Sequence, residues 1–169
     1  MKLLLAAFIL FIALLSRLNV VPNGKIGEKE VVVSLSANEC YRHITDTQAY
    51  SRWMPSVLST ETEMKPFIAS IGEEFVLVVD YGYLGTMSYV GHILSAETNT
   101  RFTFILDDWL ETKFDFTITS MDKEKSRMKL TVHSNKNNLL YNHIILPIAQ
   151  LYYSNWLTHC LLHFQLTYS

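Results

Sequence analysis

The sequence predicts an α+β domain: a seven-stranded antiparallel sheet wrapped around one long C-terminal helix, with two short helices after the first strand and an N-terminal membrane helix. Three observations predict it. Residues 137–169 contain no Asp, Glu, Lys or Arg, and apolar side chains recur there at helical spacing through Ile144, Ile148, Leu151, Tyr152, Trp156, Cys160, Leu162 and Leu166. Six strand-like runs follow one another over residues 58–134, separated by turn-forming segments. An uninterrupted apolar run, residues 3–15, stands at the N-terminus. A helix apolar nearly all round is buried on more than one side, so the C-terminal segment needs a cover, and the apolar face of the sheet is the cover at hand.

Taken in order, the apolar run comes first. Alone it falls short of the ~20 residues of a full membrane span, but Leu18, Val20 and Val21 extend it past Ser16 and Arg17, whose guanidinium can snorkel toward headgroups. No A-x-A-like cleavage site follows in SRLNVVPNG. Residues 1–22 are therefore expected to be an uncleaved single-pass anchor, the alternative being a signal sequence and a secreted product. Lys2 on one side balances Arg17 and Lys25 on the other, so orientation is not encoded. Pro22, Asn23 and Gly24 end this segment, and the domain proper occupies residues 25–169.

Residues 27–36 alternate, with Val31, Val33 and Leu35 on one face of a first strand. Ser36 with Glu39 three residues later makes a capping box for a helix running to about Thr45. Asp46 or Thr47 would cap a second short helix, which Pro55 would stop. Strands are expected at 58–65, 73–81, 86–94, 101–107, 111–120 and 127–134. Alternation is clearest where Phe114, Phe116 and Ile118 oppose Lys113, Asp115, Thr117 and Thr119, and where Met128, Leu130 and Val132 point inward. Such strands are apolar on one face and wet on the other. The terminal helix is interrupted by, or begins near, Pro147.

Composition bounds the function. The chain has 169 residues, 49% hydrophobic and 18% charged, which suits one folded domain with a membrane connection and excludes disorder. A formal net charge of −2 offers nucleic acid no basic surface. Cys40 and Cys160 are too few and too far apart for a disulfide framework or zinc site; they read as two separate buried thiols, the alternative being one bridge. No Gly-rich phosphate loop, nucleophile elbow or Cys–His signature is present, so the sequence assigns no catalytic residue, metal or cofactor.

The stretch VVVSLSANECYRHITDTQAYSRWMPSVLSTE resembles the opening of START-like proteins, the superfamily also called SRPBCC. There a first strand leads to small residues, a helix, an Asp that begins a second short helix, then Trp and Pro, here Asp46, Trp53 and Pro55. IGEEFVLVV and the terminal helix are similar to the same layout, over residues 26–164. Members described as polyketide cyclase or dehydratase-like are the most similar in kind. The resemblance implies a helix-grip fold around a hydrophobic cavity that binds lipids, sterols, polyketides or related ligands. It does not by itself imply catalysis, because carriers and enzymes share the fold.

On the residues alone, Phe75, Leu77, Tyr89, Phe102, Phe104, Phe114, Phe116, Met128 and Leu130 of the strands, with Tyr152, Trp156 and Cys160 of the helix, read as core. The resemblance makes them walls of a ligand cavity. If Phe102, Phe104 and Leu106 face inward, period two turns Asp108 inward too. Desolvation would raise its pKa and suit it to acid–base work or to a ligand hydroxyl; the other reading is a solvated turn. Asn155, His159 and His163 share one helical stripe but lack the Glu of H-E-x-x-H, so they read as a polar face. DYGYLGT is a hairpin whose Tyr83 and Leu84 would touch a membrane or gate the cavity. His43 and His92 are isolated.

The function expected is membrane-tethered binding or transport of a hydrophobic small molecule or lipid. Two alternatives stand beside it: a cyclase- or dehydratase-like enzyme using Asp108 with a Tyr or His, and an interaction module whose aromatics fill the cavity. A second subunit on the C-terminal helix is a further candidate partner.

Overall fold

The computed structural model describes residues 2–17, 24–62, 69–136 and 138–168. Helix α1 (Lys2–Arg17) leads to β1 (Lys25–Val33), α2 (Ala37–Thr45), a 3₁₀ turn (Thr47–Arg52) and β2 (Val57–Glu61). Strands β3 (Glu74–Asp80), β4 (Thr86–Glu97), β5 (Arg101–Leu106), β6 (Thr112–Ser120) and β7 (Ser126–Ser134) follow, and α3 (Leu146–Tyr168) closes the chain.

All seven strands form one antiparallel sheet in the order β1-β7-β6-β5-β4-β3-β2, so consecutive hairpins place neighbours side by side and only β1 crosses over. The pleat sorts the side chains. Phe114, Phe116 and Ile118 of β6 and Met128, Leu130 and Val132 of β7 are buried on the concave face, while Arg101 clasps Asp115 bidentately on the opposite side, at 2.9 and 2.6 Å. Burial alone would raise the Asp115 carboxyl, but Arg101 and the Thr103 hydroxyl outweigh it and hold the pKa below the usual range.

The capping box at Ser36 forms as its spacing requires: the hydroxyl accepts from the Glu39 N–H, and the Glu39 carboxylate accepts from the Ser36 N–H. The second short helix is a single 3₁₀ segment, and Asp46 contributes no side-chain cap to it. Its work is done by two rings. Tyr50 and Trp53 are buried between sheet and helix, with ring centroids 5.2 Å apart. Trp53 meets Phe164 of α3 edge-on at 4.9 Å, and the Tyr50 hydroxyl donates to the Ile44 carbonyl at 2.8 Å. Strand β2 ends at Glu61, and the rest of the expected 58–65 strand lies outside the described residues.

Pro147 has no N–H to give the His143 carbonyl, and the helix passes this point through a π-helical turn over Tyr141–Ile145 that runs into α3. The buried line of α3 is Leu146, Ala149, Leu157, Cys160, Leu161 and Phe164. This corrects the expected register by about one position. Of the three helix residues expected to face the sheet, Cys160 is buried, Trp156 partly so and Tyr152 exposed; of the other apolar positions at helical spacing, Ile144, Ile148, Leu151, Leu162 and Leu166 are exposed. Gln165 donates to the Val32 carbonyl at 3.1 Å, so α3 also covers the free edge of β1, an edge that would otherwise present unpaired backbone groups. Cys40 and Cys160 are both free and buried; burial pushes the Cys40 thiol up to about 11.

Helix α1 has 16 residues, about 24 Å at ~1.5 Å per residue, against ~30 Å of bilayer hydrocarbon. No described helix is long and apolar enough to cross a membrane. The expected membrane helix is thus not shown, and its extension through Leu18, Val20 and Val21 lies outside the described residues, as do Pro22 and Asn23.

Gly91 pairs directly with Phe75 across β3 and β4, and the Phe75 ring lies over it, so an added Cβ would stand 2.5 Å from the ring. Phe75 in turn packs edge-on against Phe104 at 5.1 Å. Gly91→Ala is expected to displace that ring and lower stability by about 1–3 kcal/mol in urea denaturation; an unchanged midpoint would show that the ring moves freely.

Candidate functional site

Between the first half of α3 and strands β3–β6 lies a crevice of about 50 Å³, room for no more than a few water molecules. Alternation builds its strand wall. Leu77, Val79 and Tyr81 project from and just beyond β3, Tyr89 from β4, Phe104 and Leu106 from β5, and Phe114 from β6. Tyr152, Tyr153 and Trp156 form the helix wall, and Met54, Pro55 and Val57 close one end. The Trp156 indole N–H donates to the Pro55 carbonyl at 3.2 Å, tying the two walls together.

Asp108 is where period two along β5 places it, facing this crevice. It accepts from the Thr112 backbone N–H at 2.7 Å and from the Thr112 hydroxyl at 2.6 Å. Burial still raises its pKa despite those two bonds, and the neighbouring carboxylates Asp107 and Glu111 push in the same direction. Asp107 is exposed and accepts from the Val90 N–H at 2.6 Å, and Asp108 lies in the turn that follows β5, its carbonyl accepting from the Glu111 N–H at 2.9 Å, so it is at once a partly buried turn residue and part of the crevice wall. Burial also drives the Tyr81, Tyr152 and Tyr153 hydroxyls upward. These phenols stay protonated near neutrality and act as hydrogen-bond donors or acceptors rather than as bases.

Of the residues singled out from sequence, Leu77, Tyr89, Phe104, Asp108, Phe114, Tyr152 and Trp156 meet at the crevice. Phe75, Phe102, Phe116, Met128 and Leu130 do not: all are 2% exposed or less and packed into the core. Leu106, placed inward from sequence, lines the crevice too, whereas sequence reasoning did not assign Val79 and Tyr81 to it, although the same period-two rule would have found them further along β3. It also missed Tyr153, because apolar spacing alone sets the helix register on Tyr152. Pro55 is marked in the sequence as a helix stop, but nothing there places Met54, Pro55 or Val57 at a cavity.

The remaining candidates are placed apart. Asn155, His159 and His163 are all exposed on α3, the two imidazoles 6.5 Å apart. No group of three metal-ligating side chains converges among the described residues. His43 stacks on Tyr168 at 4.0 Å, and burial lowers its pKa. Tyr83 and Leu84 project into solvent from the turn at Gly82–Leu84, where Gly82 and Gly85 take positive φ. A larger hollow of about 820 Å³ opens beside β2 and β3, lined by Glu61, Thr62, Glu73, Glu74, Phe75, Val76 and Val90, and Glu74 pairs with His92 at 3.1 Å.

No family model matches the chain, and no curated protein matches it in sequence. Solved structures match it in fold. A START superfamily protein from Mycobacterium smegmatis superposes with a TM-score of 0.67 at 14% identity, covering 84% of this chain and 95% of its own. An aromatase/cyclase from a Streptomyces species gives 0.58 at 12% identity over 81% and 86% of the two chains. A Thermus thermophilus protein gives 0.62 at 12% identity over 82% and 92%. At such identities the likeness concerns the fold alone, and that fold is START-like: an open antiparallel sheet gripping a long C-terminal helix.

The raised pKa makes a prediction. A carboxyl whose folded pKa exceeds its unfolded value costs stability once ionised, so the cost is absent at low pH and grows as pH rises from the unfolded value through the folded one. Asp108→Asn removes that cost while keeping an acceptor for the Thr112 N–H. Its thermal midpoint should therefore gain on the parent as pH rises from about 4 to 7. A difference between the two that does not change with pH would show that Asp108 is not desolvated.

Proposed function

We propose that this START-like helix-grip domain binds a small, mostly apolar molecule in the crevice between α3 and strands β3–β6, and that its N-terminal helix holds it at a lipid surface. The observation that carries the reading is the join of an aromatic and aliphatic wall to one half-buried polar end, Asp108. Apolar walls with a few placed polar groups are the usual makeup of a ligand site. Each 100 Å² of ligand hydrocarbon withdrawn from water contributes about 2.5 kcal/mol, and Asp108 and the tyrosine hydroxyls set orientation.

The crevice is small at rest, so entry requires its walls to part. Tyr152 is 50% exposed and Tyr81 37% exposed, and both can swing outward without breaking a core contact that Tyr50 and Trp53 make. The exposed Leu5, Phe8, Ile9, Leu10, Phe11 and Leu14 of α1 support the tether, since they find no cover within the domain. An anchor there would keep the crevice beside a reservoir of apolar ligand.

The small volume favours a second reading, an interaction module whose grip is filled by its own rings. Such a module would work through the exposed ridge of Ile144 in the π-helical turn and Ile148 and Leu151 on α3, on which a second copy could pack. An enzymatic reading needs an acid and a base side by side. Asp108 offers a carboxylate engaged by Thr112 on both oxygens, and its neighbours in the crevice are phenols.

Full-length protein purified from a lipid-rich host should retain an apolar molecule visible by mass spectrometry after denaturation. Val79→Trp, which fills the crevice from β3, should lose it while keeping the parent's circular dichroism spectrum. An empty parent protein, or a Val79→Trp variant that retains the same molecule, would count against the crevice. For the tether, the full chain should float with phosphatidylcholine vesicles and a version lacking residues 1–22 should remain at the bottom of the gradient; equal behaviour of the two would overturn it.

A further inference from the structure

The crevice is unusual in its charge. Rings supply most of its solvent-reaching wall: Tyr81 and Tyr89 stand edge-to-face at 6.4 Å on the strand side, and Tyr153 lies 5.2 Å from Tyr152 and 5.8 Å from Trp156 on the helix side. Among the described residues that line it, Asp108 carries the one formal charge, and no Lys, Arg or His is present. Two carboxylates act on Asp108, of which Asp107 adds to the negative potential while Glu111 is ion-paired with Lys136. An anionic ligand would meet repulsion with no countercharge among the described lining residues, and a neutral one would leave the charge of Asp108 facing only the neutral N–H and hydroxyl of Thr112.

A cation would answer both. A carboxylate has about four lone-pair sites, and Thr112 occupies two of those of Asp108 with its N–H and hydroxyl. The rest remain for donors arriving from the crevice. Aromatic faces attract a cation through their quadrupoles, and that attraction grows when water is excluded. A compact ammonium head also suits a space of about 50 Å³ better than a bulky polar group does.

We propose that the crevice selects an organic cation, an alkylammonium whose head binds Asp108 inside the cage of Tyr81, Tyr89, Tyr152, Tyr153 and Trp156 and whose tail leaves past Tyr81 and Tyr152. This rests on the reading of the crevice as a ligand site and names the charge of the ligand. Asp108 accepts the ammonium N–H groups, the rings shield the pair from water, and the hydrocarbon tail lies against Leu77, Val79 and Leu106.

Three probes with one tail separate the two ideas: decylammonium, decanol and decanoate, titrated below their aggregation limits into the full-length protein by calorimetry. Decylammonium should bind about tenfold or more tightly than decanol, and decanoate more weakly than both. In Asp108→Asn the amine should fall to within about twofold of decanol, with decanol itself unchanged. Tyr152→Leu, which keeps apolar area but removes one ring, should weaken decylammonium by about 2- to 30-fold, the range that about 0.5–2 kcal/mol of cation–ring attraction converts to. Decanol or decanoate matching decylammonium overturns the cation preference and leaves the apolar site standing. Persistence of the preference in Asp108→Asn places the amine elsewhere and overturns it too. Failure of all three probes to bind removes the crevice as a ligand site altogether.

Discussion

The rings of Tyr50 and Trp53, wedged between the sheet and the C-terminal helix, are the contact on which the rest of the molecule depends. They come from a short 3₁₀ segment with little propensity of its own, yet they touch both layers. Tyr50 packs against Phe75 and Phe104 of the sheet, and Trp53 against Phe116 of the sheet and Phe164 of α3. An open sheet cannot close on itself, so its two edge strands, β1 and β2, must be bridged by something else. The helix does this through Gln165 at β1 and through Trp156 at the approach to β2, and the aromatic wedge sets how far from the sheet the helix sits.

That spacing also decides what space is left. With Tyr50, Trp53, Phe102, Phe116 and Phe164 fully buried, the deep end of the grip is solid. The space that remains is displaced toward the mouth, where half-exposed tyrosines take over from phenylalanines. The chemistry of the site follows from this displacement. A cavity deep in the core would be lined by hydrocarbon, whereas this shallow crevice is edged by tyrosines and ended by Asp108. The buried Trp53 indole N–H without an acceptor shows the same bias, since ring packing was favoured there over polar satisfaction.

The outer face of α3 follows a different logic. Its lack of charge is not explained by burial, because Ile148, Leu151 and Leu166 remain exposed, as do the apolar side chains described for α1. Two uncovered apolar surfaces on one chain are costly in water. The lipid contact proposed above would cover apolar surface of this kind.

Much of the architecture was legible in the residues before any coordinates. Strand positions followed from period-two alternation, the first helix from the Ser36–Glu39 box, and the inward turn of Asp108 from counting two residues beyond Leu106. These are local properties: a pleat or a cap depends on neighbours in sequence, and the chain carries them wherever it goes. The helix register was not legible in the same way. With no charged residue in 137–169, nothing marks a wet side, and apolar spacing fits several rotations of the helix equally well. Tertiary packing chose the line through Leu157, Cys160 and Phe164, and that choice brought Tyr153 to the crevice beside Tyr152 and Trp156. Only the fold could decide whether Phe102 and Phe116 were cavity wall or filling, because a lining ring and a packed ring have the same sequence signature and differ only in what stands opposite them.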